Sequence, residues 1–305
     1  MAKATKDIAA SLRARLLNMA RASGRDFDAL LLQYMQELFL YRLSISPYRR
    51  HLILKGALLF LAYEMSLLRP TKDIDFLGFS TPNELNEVRN SVVAIASIDL
   101  DDGVKFNHES VVVEPIAEGA EYKGVRAKLE VRLTADRKML QLDIGFGDTV
   151  VPGPVEMGFP TLLDDQPSPN LLVYSRESAI AEKFEALVSL NILTSRMKDI
   201  YDILFLAERG TFFLLTLREA IMTTFARRST QLEGRHMLFS QDFYTNRDKE
   251  AQWKAFLQRS RLQLSSTFPE AVTRLMVFLE PVCSSSSTMN NAIWNPADWY
   301  WKTES

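Results

Sequence analysis

Cysteine is nearly missing from this sequence: Cys283 stands alone among 305 residues. A single thiol excludes an internal disulfide and fits a reducing compartment such as the cytoplasm. Histidine is scarce too. His51, His108 and His236 are scattered, and nothing has the clustered Cys/His spacing of a zinc site. No apolar run reaches the roughly 18 residues that a membrane span needs. The opening stretch, MAKATKDIAASLRARLL, lacks the apolar core of a signal peptide. Neither sign of charge dominates: 36 Lys and Arg against 38 Asp and Glu leave −2. Any nucleic-acid surface must therefore be a local patch. The expectation is a cytoplasmic protein with no membrane partner.

What is present is apolar residues, at 47%, in patterns that change along the chain. Leu12, Leu16 and Leu17, then Leu30, Leu31, Tyr34, Met35 and Leu38, recur at helical spacing and predict two helices before residue 45. HLIL (51–54) reads as a buried strand, KGALLFLAYEMSLL (55–68) as a helix, and KDIDFLGF as the next strand. Ser80-Thr81-Pro82 predicts a capped helix start. From 103 to 157 the texture is strands: GVRAKLEVRL and MLQLDIGFG alternate apolar with polar residues. FPTLLDDQPSPN (159–170) is Pro-rich and reads as the boundary. Beyond it, helices are expected near 175–191, 196–208, 213–227, 249–262 and 268–281. The pattern predicts an α+β fold: a mixed sheet (50–157) flanked by helices within 1–165, a C-terminal helical lobe (166–282), and a Ser-rich linker with an aromatic tail (283–305). The tail aromatics are expected to pack on the helical lobe.

Five sets of residues could carry chemistry. In KDIDF, Asp73 and Asp75 share one strand face while Ile74 and Phe76 take the other. An isolated D-x-D is most often a solvated strand edge. Asp143 follows the same logic on another strand, and three converging carboxylates cannot all stay ionised without a cation. Hard oxygen ligands suit Mg²⁺ or Mn²⁺. The turn at Lys55-Gly56-Ala57 would offer backbone N–H groups to phosphate. Lys183 falls inside the apolar stripe of Ile180, Phe184, Leu187 and Leu190. Such a lysine either snorkels to the edge of the core or meets negative charge. Lys198, Asp199 and Asp202 form a polar set on the next helix, where a solvated face is the default reading; Phe205 and Leu206 project from the same side one turn later, so that side is expected to be only partly exposed. Arg126, Lys128 and Arg132, Arg49 with Arg50, and Arg227 with Arg228 are candidate basic patches, more simply read as ordinary surface charge.

Taken in order, Lys55-Gly56-Ala57, Arg69-Pro70-Thr71-Lys72-Asp73-Ile74-Asp75, Ala181-Glu182-Lys183 and Arg196-Met197-Lys198-Asp199-Ile200-Tyr201-Asp202 resemble the motifs of the AbiEii/AbiGii-type nucleotidyltransferase toxins. The resemblance spans about residues 50 to 207. It implies a DNA polymerase β-like nucleotidyltransferase fold and transfer of a nucleotide from an NTP, with Mg²⁺ or Mn²⁺, to an RNA acceptor. That acceptor would be a tRNA 3′ end, so that translation stops, and a protein antitoxin encoded nearby would restrain the activity. The implied catalytic residues are Asp73, Asp75, Lys183 and Asp199, with Asp73, Asp75 and Asp143 holding metal. Lys55, Gly56, Ala57, Arg69, Thr71 and Lys198 would contact the nucleotide. Ala57 departs from the Gly or Ser that many relatives carry, which removes one hydroxyl from the phosphate grip. Two other readings stand beside this one: transfer to a Ser, Thr or Tyr hydroxyl of a protein, and a catalytically inactive binding module.

Overall fold

The computed structural model describes residues 7–63, 71–80, 82–118, 122–190, 195–260, 266–284 and 289–303. The chain forms two compact units, Met1–Gly147 with Val155–Val173, and Asp148–Pro154 with Tyr174–Ser305. The architecture is mixed α+β.

In the first unit, α1 (Ile8–Ser23) and α2 (Phe27–Ile45) begin at Asp7 and Asp26, whose carboxylates accept the N–H of Ala10 and Ala29. An acidic cap satisfies an orphan donor and complements the helix dipole. Only a narrow stripe of α1 is buried, through Leu12, Leu16 and Ala20, whereas α2 buries Leu30, Leu31, Tyr34, Met35, Leu38, Phe39, Leu40 and Leu43. A helix that is apolar around its circumference belongs inside a core. Two of its charged groups find partners there. Arg42 donates to Asp102 (2.8 Å) and to the Ile98 carbonyl (2.9 Å). Glu37 accepts the Gln33 amide (2.9 Å) and the Leu162 N–H (2.9 Å).

Next come β1 (Leu52–Lys55), a 3-10 turn (Gly56–Leu58), α3 (Leu59–Ala62), β2 (Asp73–Gly78) and α4 (Leu85–Ala96). The expected helix over 55–68 is thus a short turn and one helical turn, and residues 64–70 lie outside the described residues. The expected cap at Ser80-Thr81-Pro82 is not the start of α4. That helix begins after Glu84, with no side-chain cap, and Thr81 lies outside the described residues. The strands β3 (Val104–Glu118), β4 (Tyr122–Leu133), β5 (Asp136–Phe146), β6 (Val155–Gly158) and β7 (Asn170–Val173) complete a seven-stranded sheet of order β3-β4-β5-β2-β1-β7-β6. β2 pairs in parallel with β5 and antiparallel with β1. Helices α2 and α4 pack against this sheet. One face carries the buried Ile74, Phe76, Leu142, Ile144, Ala127 and Leu129. Alternation then forces Asp73, Asp75, Gln141, Asp143, Arg126 and Lys128 onto the other face, where all are half-buried. The Pro-rich segment read as a boundary links β6 to β7, and the two units exchange chain at residues 147, 154 and 173.

The second unit contains α5 (Arg176–Leu190), α6 (Met197–Arg209), α7 (Leu214–Arg227), α8 (Arg235–Leu238), α9 (Gln241–Tyr244), α10 (Arg247–Arg259) and α11 (Phe268–Cys283). Ser175 caps α5 by accepting the Ser178 N–H (3.1 Å). The outlying segment is tied in at the same place: the Val151 N–H donates to Ser178 Oγ (2.8 Å), and its carbonyl accepts from Ser175 Oγ (2.5 Å). The tail forms a hairpin of β8 (Ala292–Asn295) and β9 (Tyr300–Thr303). Its tryptophans are wedged against helices. Trp294 Nε1 donates to the Ala207 carbonyl (2.8 Å), Trp301 Nε1 to Phe278 (2.9 Å) and Trp299 Nε1 to Arg274 (3.2 Å). The Trp294 and Trp301 rings sit 4.7 and 5.8 Å from Phe278. No described helix is long and apolar enough to cross a membrane.

Candidate active site

Register places one row of charge across five strands of the sheet. Lys55 on β1 opposes Asp75 on β2, Asp75 pairs with Asp143 on β5, Asp143 with Arg126 on β4, and Arg126 with Glu114 on β3. The neighbouring row on the same face runs Asp73, Gln141, Lys128, Val112. Like charges directly opposed across strands repel. The Asp75–Asp143 juxtaposition is flanked on both sides by a cation.

The strand-to-turn junction beside this row depends on Gly56. Its φ is +69°, a left-handed conformation that costs an L side chain roughly 1–2 kcal/mol. A Cβ there would also lie 2.6 Å from Asp75 Cγ and 2.7 Å from Asp75 Cβ. The backbone of residue 56 and the Asp75 carboxyl group therefore share a space that only glycine leaves open. Lys55 and Ala57 flank it, both half-buried. Thr71 Oγ1 turns back to the Asp73 carbonyl (3.3 Å), and Gln36 Nε2 on α2 donates to the Lys72 carbonyl (3.2 Å). These bonds fix the backbone leading into β2. Arg69 lies outside the described residues.

Asp143 stands next to Asp75 because β5 pairs beside β2, but its carboxylate is occupied. Arg126 donates from Nε to Oδ1 (2.8 Å) and from Nη2 to Oδ2 (2.7 Å), and Gln141 Nε2 approaches both oxygens at 3.2 and 3.4 Å. The hydrogen bonds to Asp143 hold the Arg126 guanidinium above its ordinary pKa, with the charges of Asp143 and Asp73 adding to them. Among the described residues no three His, Cys, Asp or Glu side chains are gathered closely enough to hold an ion. The donor chemistry still suits a hard cation. Asp73 and Asp75 lie on one half-exposed face as acceptor-only oxygens, and Asp143 is the carboxylate in register with them.

In the second unit Lys183 is neither snorkelling nor solvated. Its Nζ lies 2.6 Å from Asp202 Oδ2 and 3.2 Å from Asp199 Oδ1. The two aspartates, one helical turn apart on α6, are 4% and 3% exposed. Burial works against the Lys183 charge, but Asp202 and Asp199 outweigh it and hold its pKa above the ordinary value. For Asp199, burial is opposed by Lys183, Lys198 and Arg196, which leave its pKa below the ordinary value. The face of α6 read by default as solvated is therefore internal on its Asp199–Asp202 side, while Lys198 is exposed. A second internal network centres on Arg228, which donates to Glu185 (2.9 Å) and Asp148 (3.0 Å) and lies 3.2 Å from Glu182.

Two residues of these arrangements are not among those singled out from sequence for the site. Asp202 carries the shorter ion pair to Lys183; its three-residue spacing from Asp199 was the available signal. Arg126, read as surface charge, grips Asp143, and only strand register reveals that.

The family model of the nucleotidyl transferase AbiEii toxin of type IV toxin–antitoxin systems matches residues 38–274. That range takes in most of the chain, including the carboxylate strands and the Lys183 helix, and it makes the protein a nucleotidyltransferase. The chain belongs to the AbiEii toxin family. Among solved structures, JHP933 from Helicobacter pylori is 18% identical over 84% of this chain and 92% of its own, with a TM-score of 0.47. A second H. pylori chain, solved as a candidate nucleotidyltransferase, gives the same identity and score over 84% and 95%. No curated protein sequence matches the chain.

Proposed function

We propose that the protein is the toxin of a toxin–antitoxin pair and transfers a nucleotide from an NTP to an RNA acceptor, a tRNA 3′ end, in the cytoplasm. A protein antitoxin encoded nearby would restrain it. The observation that carries this reading is the in-register placement of Asp75 beside Asp143, with Asp73 on the same half-exposed face and the Gly56 turn against Asp75.

In the proposed reaction an acceptor hydroxyl oxygen bonds to the α-phosphorus of the NTP. The bond from that phosphorus to the α–β bridging oxygen breaks, and pyrophosphate leaves with the bond electrons. The hydroxyl proton passes to a carboxylate of the site or to water. Asp73, Asp75 and Asp143 would hold Mg²⁺ or Mn²⁺, which when bound polarises phosphate oxygens and lowers the pKa of the attacking hydroxyl. The backbone N–H groups around Lys55, Gly56 and Ala57 would face phosphate, with Arg69 and Thr71 assisting. Lys183, kept charged by its aspartates, would balance charge on the triphosphate or pyrophosphate. Asp199 orients Lys183, and Lys198, one residue before it and exposed, would reach the nucleotide.

One observation favours a protein hydroxyl as acceptor. The basic groups on the sheet face are already paired: Arg126 with Asp143, Lys128 with Glu114 (2.7 Å) and Arg132 with Glu130 (2.6 Å). A phosphate backbone draws its affinity from cations available to it. Incubating purified protein with each labelled NTP, Mg²⁺ and total RNA, beside Asp75→Ala, separates the readings. Label in RNA with wild type alone supports the proposal, label in protein supports the second reading, and no label with any NTP overturns both.

A further inference from the structure

We propose that Arg126 is a latch on the metal site: it holds Asp143 out of reach of a cation and hands the carboxylate over when a metal–nucleotide complex arrives. This rests on the nucleotidyltransferase reading above and adds a positioning residue to it.

The geometry points here from three sides. Both Asp143 oxygens accept from Arg126, in the two-pronged arrangement that is the strongest form of this pair. Arg126 takes one lone pair on each oxygen, about half of what the carboxylate offers, and the Gln141 amide lies against both oxygens at 3.2 and 3.4 Å, so a cation competes with both for Asp143. The second observation is register. Asp75 and Asp143 oppose each other directly, and the Arg126 guanidinium balances the pair from the next strand. Lys55 opposes Asp75 on the far side, so Arg126 is the cation in register with Asp143 itself. The third is accessibility. Side chains of Arg126 and Asp143 are 33% and 19% exposed, so the pair opens to solvent without breaking the apolar face of the sheet.

A bound metal–triphosphate would resolve both needs together. Asp143 would then hold the cation in place of Arg126, and the Arg126 guanidinium fork would take phosphate oxygens in place of Asp143. Every charge exchanges one partner for another. Without nucleotide, a bare cation must break the Arg126–Asp143 bonds and leave the guanidinium unpaired.

The test is Mn²⁺ binding to the nucleotide-free protein, read by electron paramagnetic resonance. Arg126→Gln is expected to bind Mn²⁺ about tenfold more tightly than wild type, and Arg126→Lys, which keeps the charge but loses the two-pronged grip, to show part of that gain. In an Asp143→Asn background the Arg126→Gln gain is expected to shrink below about twofold, because no carboxylate remains to be released. Circular dichroism of each variant verifies the fold. Equal Mn²⁺ affinity in wild type and Arg126→Gln overturns the latch. So does a gain that persists undiminished without Asp143, since the guanidinium then acts through its field alone. Because the readout is metal affinity, a protein that shows the full cycle yet labels no acceptor keeps the latch and loses the transferase reading.

Discussion

The α-carbon of Gly56 and the carboxyl group of Asp75 occupy adjoining space across the β1–β2 pair, so closely that a methyl group on residue 56 would overlap the Asp75 side chain. Backbone and carboxylate are thereby set against each other before any nucleotide arrives. A left-handed φ at the same residue makes the requirement for glycine twofold.

Gly56→Ala is therefore expected to abolish nucleotidyl transfer while leaving most of the fold. The strained φ costs roughly 1–2 kcal/mol, and Asp75 must turn away from the site. Thermal unfolding should fall by a few degrees while transfer drops at least a hundredfold. Wild-type activity in this variant would show that the close approach has no catalytic meaning.

The buried Lys183 trio predicts a stability window. Asp199 is held below its ordinary value of 3.8, so its contribution is present above that pH and lost as pH falls through the lowered folded value. Lys183 is held above its ordinary 10.5, so its contribution is present below that pH and lost as pH rises through the raised folded value. Between about pH 4 and 10 the trio is intact. Lys183→Met strands two buried carboxylates and is expected to cost about 3–5 kcal/mol at pH 7. Beyond the change that wild type shows, this variant should gain further stability as pH is lowered from 7 toward 5, which denaturant titrations of both proteins at several pH values would reveal.

Glu37 predicts a slope of the opposite kind. Burial pushes its carboxyl up to about 7, against the bonds from Leu162 and Gln33. The folded chain thus holds a proton that the unfolded chain has released, and stability falls as pH rises from about 4.5 to 7. At one pKa unit per 1.36 kcal/mol, the effect is about 3 kcal/mol. Glu37→Gln keeps an acceptor for the Leu162 N–H and should flatten this slope. Unfolding midpoints of the variant should exceed those of wild type at pH 8 and converge with them near pH 4.5.

The aromatic hairpin predicts a structural cost. Trp294 is fully buried, donates to the Ala207 carbonyl and packs on Phe278. Trp294→Ala is expected to lose about 3–5 kcal/mol. Trp294→Phe, which keeps most of the volume but leaves the Ala207 carbonyl without its indole partner, should lose less. Chemical denaturation followed by tryptophan fluorescence measures both.

Alternation made the sheet face readable from sequence: Ile74 and Phe76 inward, Asp73 and Asp75 outward, and Asp143 the same way on its own strand. Helical spacing did the same for α2, α5 and α11, and Lys183 stood out because it interrupted a stripe. The pairing of one strand with another was not readable. Nothing local to Arg126 says that it will oppose Asp143 rather than face water, because register is set by the whole sheet. On α6, Phe205 and Leu206 signalled a polar side only partly exposed, as found; what the helix alone could not show is the Lys183 ammonium that makes burial of Asp199 and Asp202 possible. The turn at Lys55-Gly56-Ala57 was readable as a turn, but its 3-10 form and the close approach of Gly56 to Asp75 were not, since both depend on the neighbouring strand.

Residues 148–154 belong with helices whose sequence begins some twenty positions later, and Val151 is pinned there by Ser175 and Ser178. A ribosome therefore releases this heptapeptide before its docking site exists. Severing the polypeptide after Val173 is expected to leave the downstream piece without the buried Val151 and without the Asp148 partner of Arg228. Whoever seeks the helical portion alone must graft that segment back on, by circular permutation or as a supplied peptide.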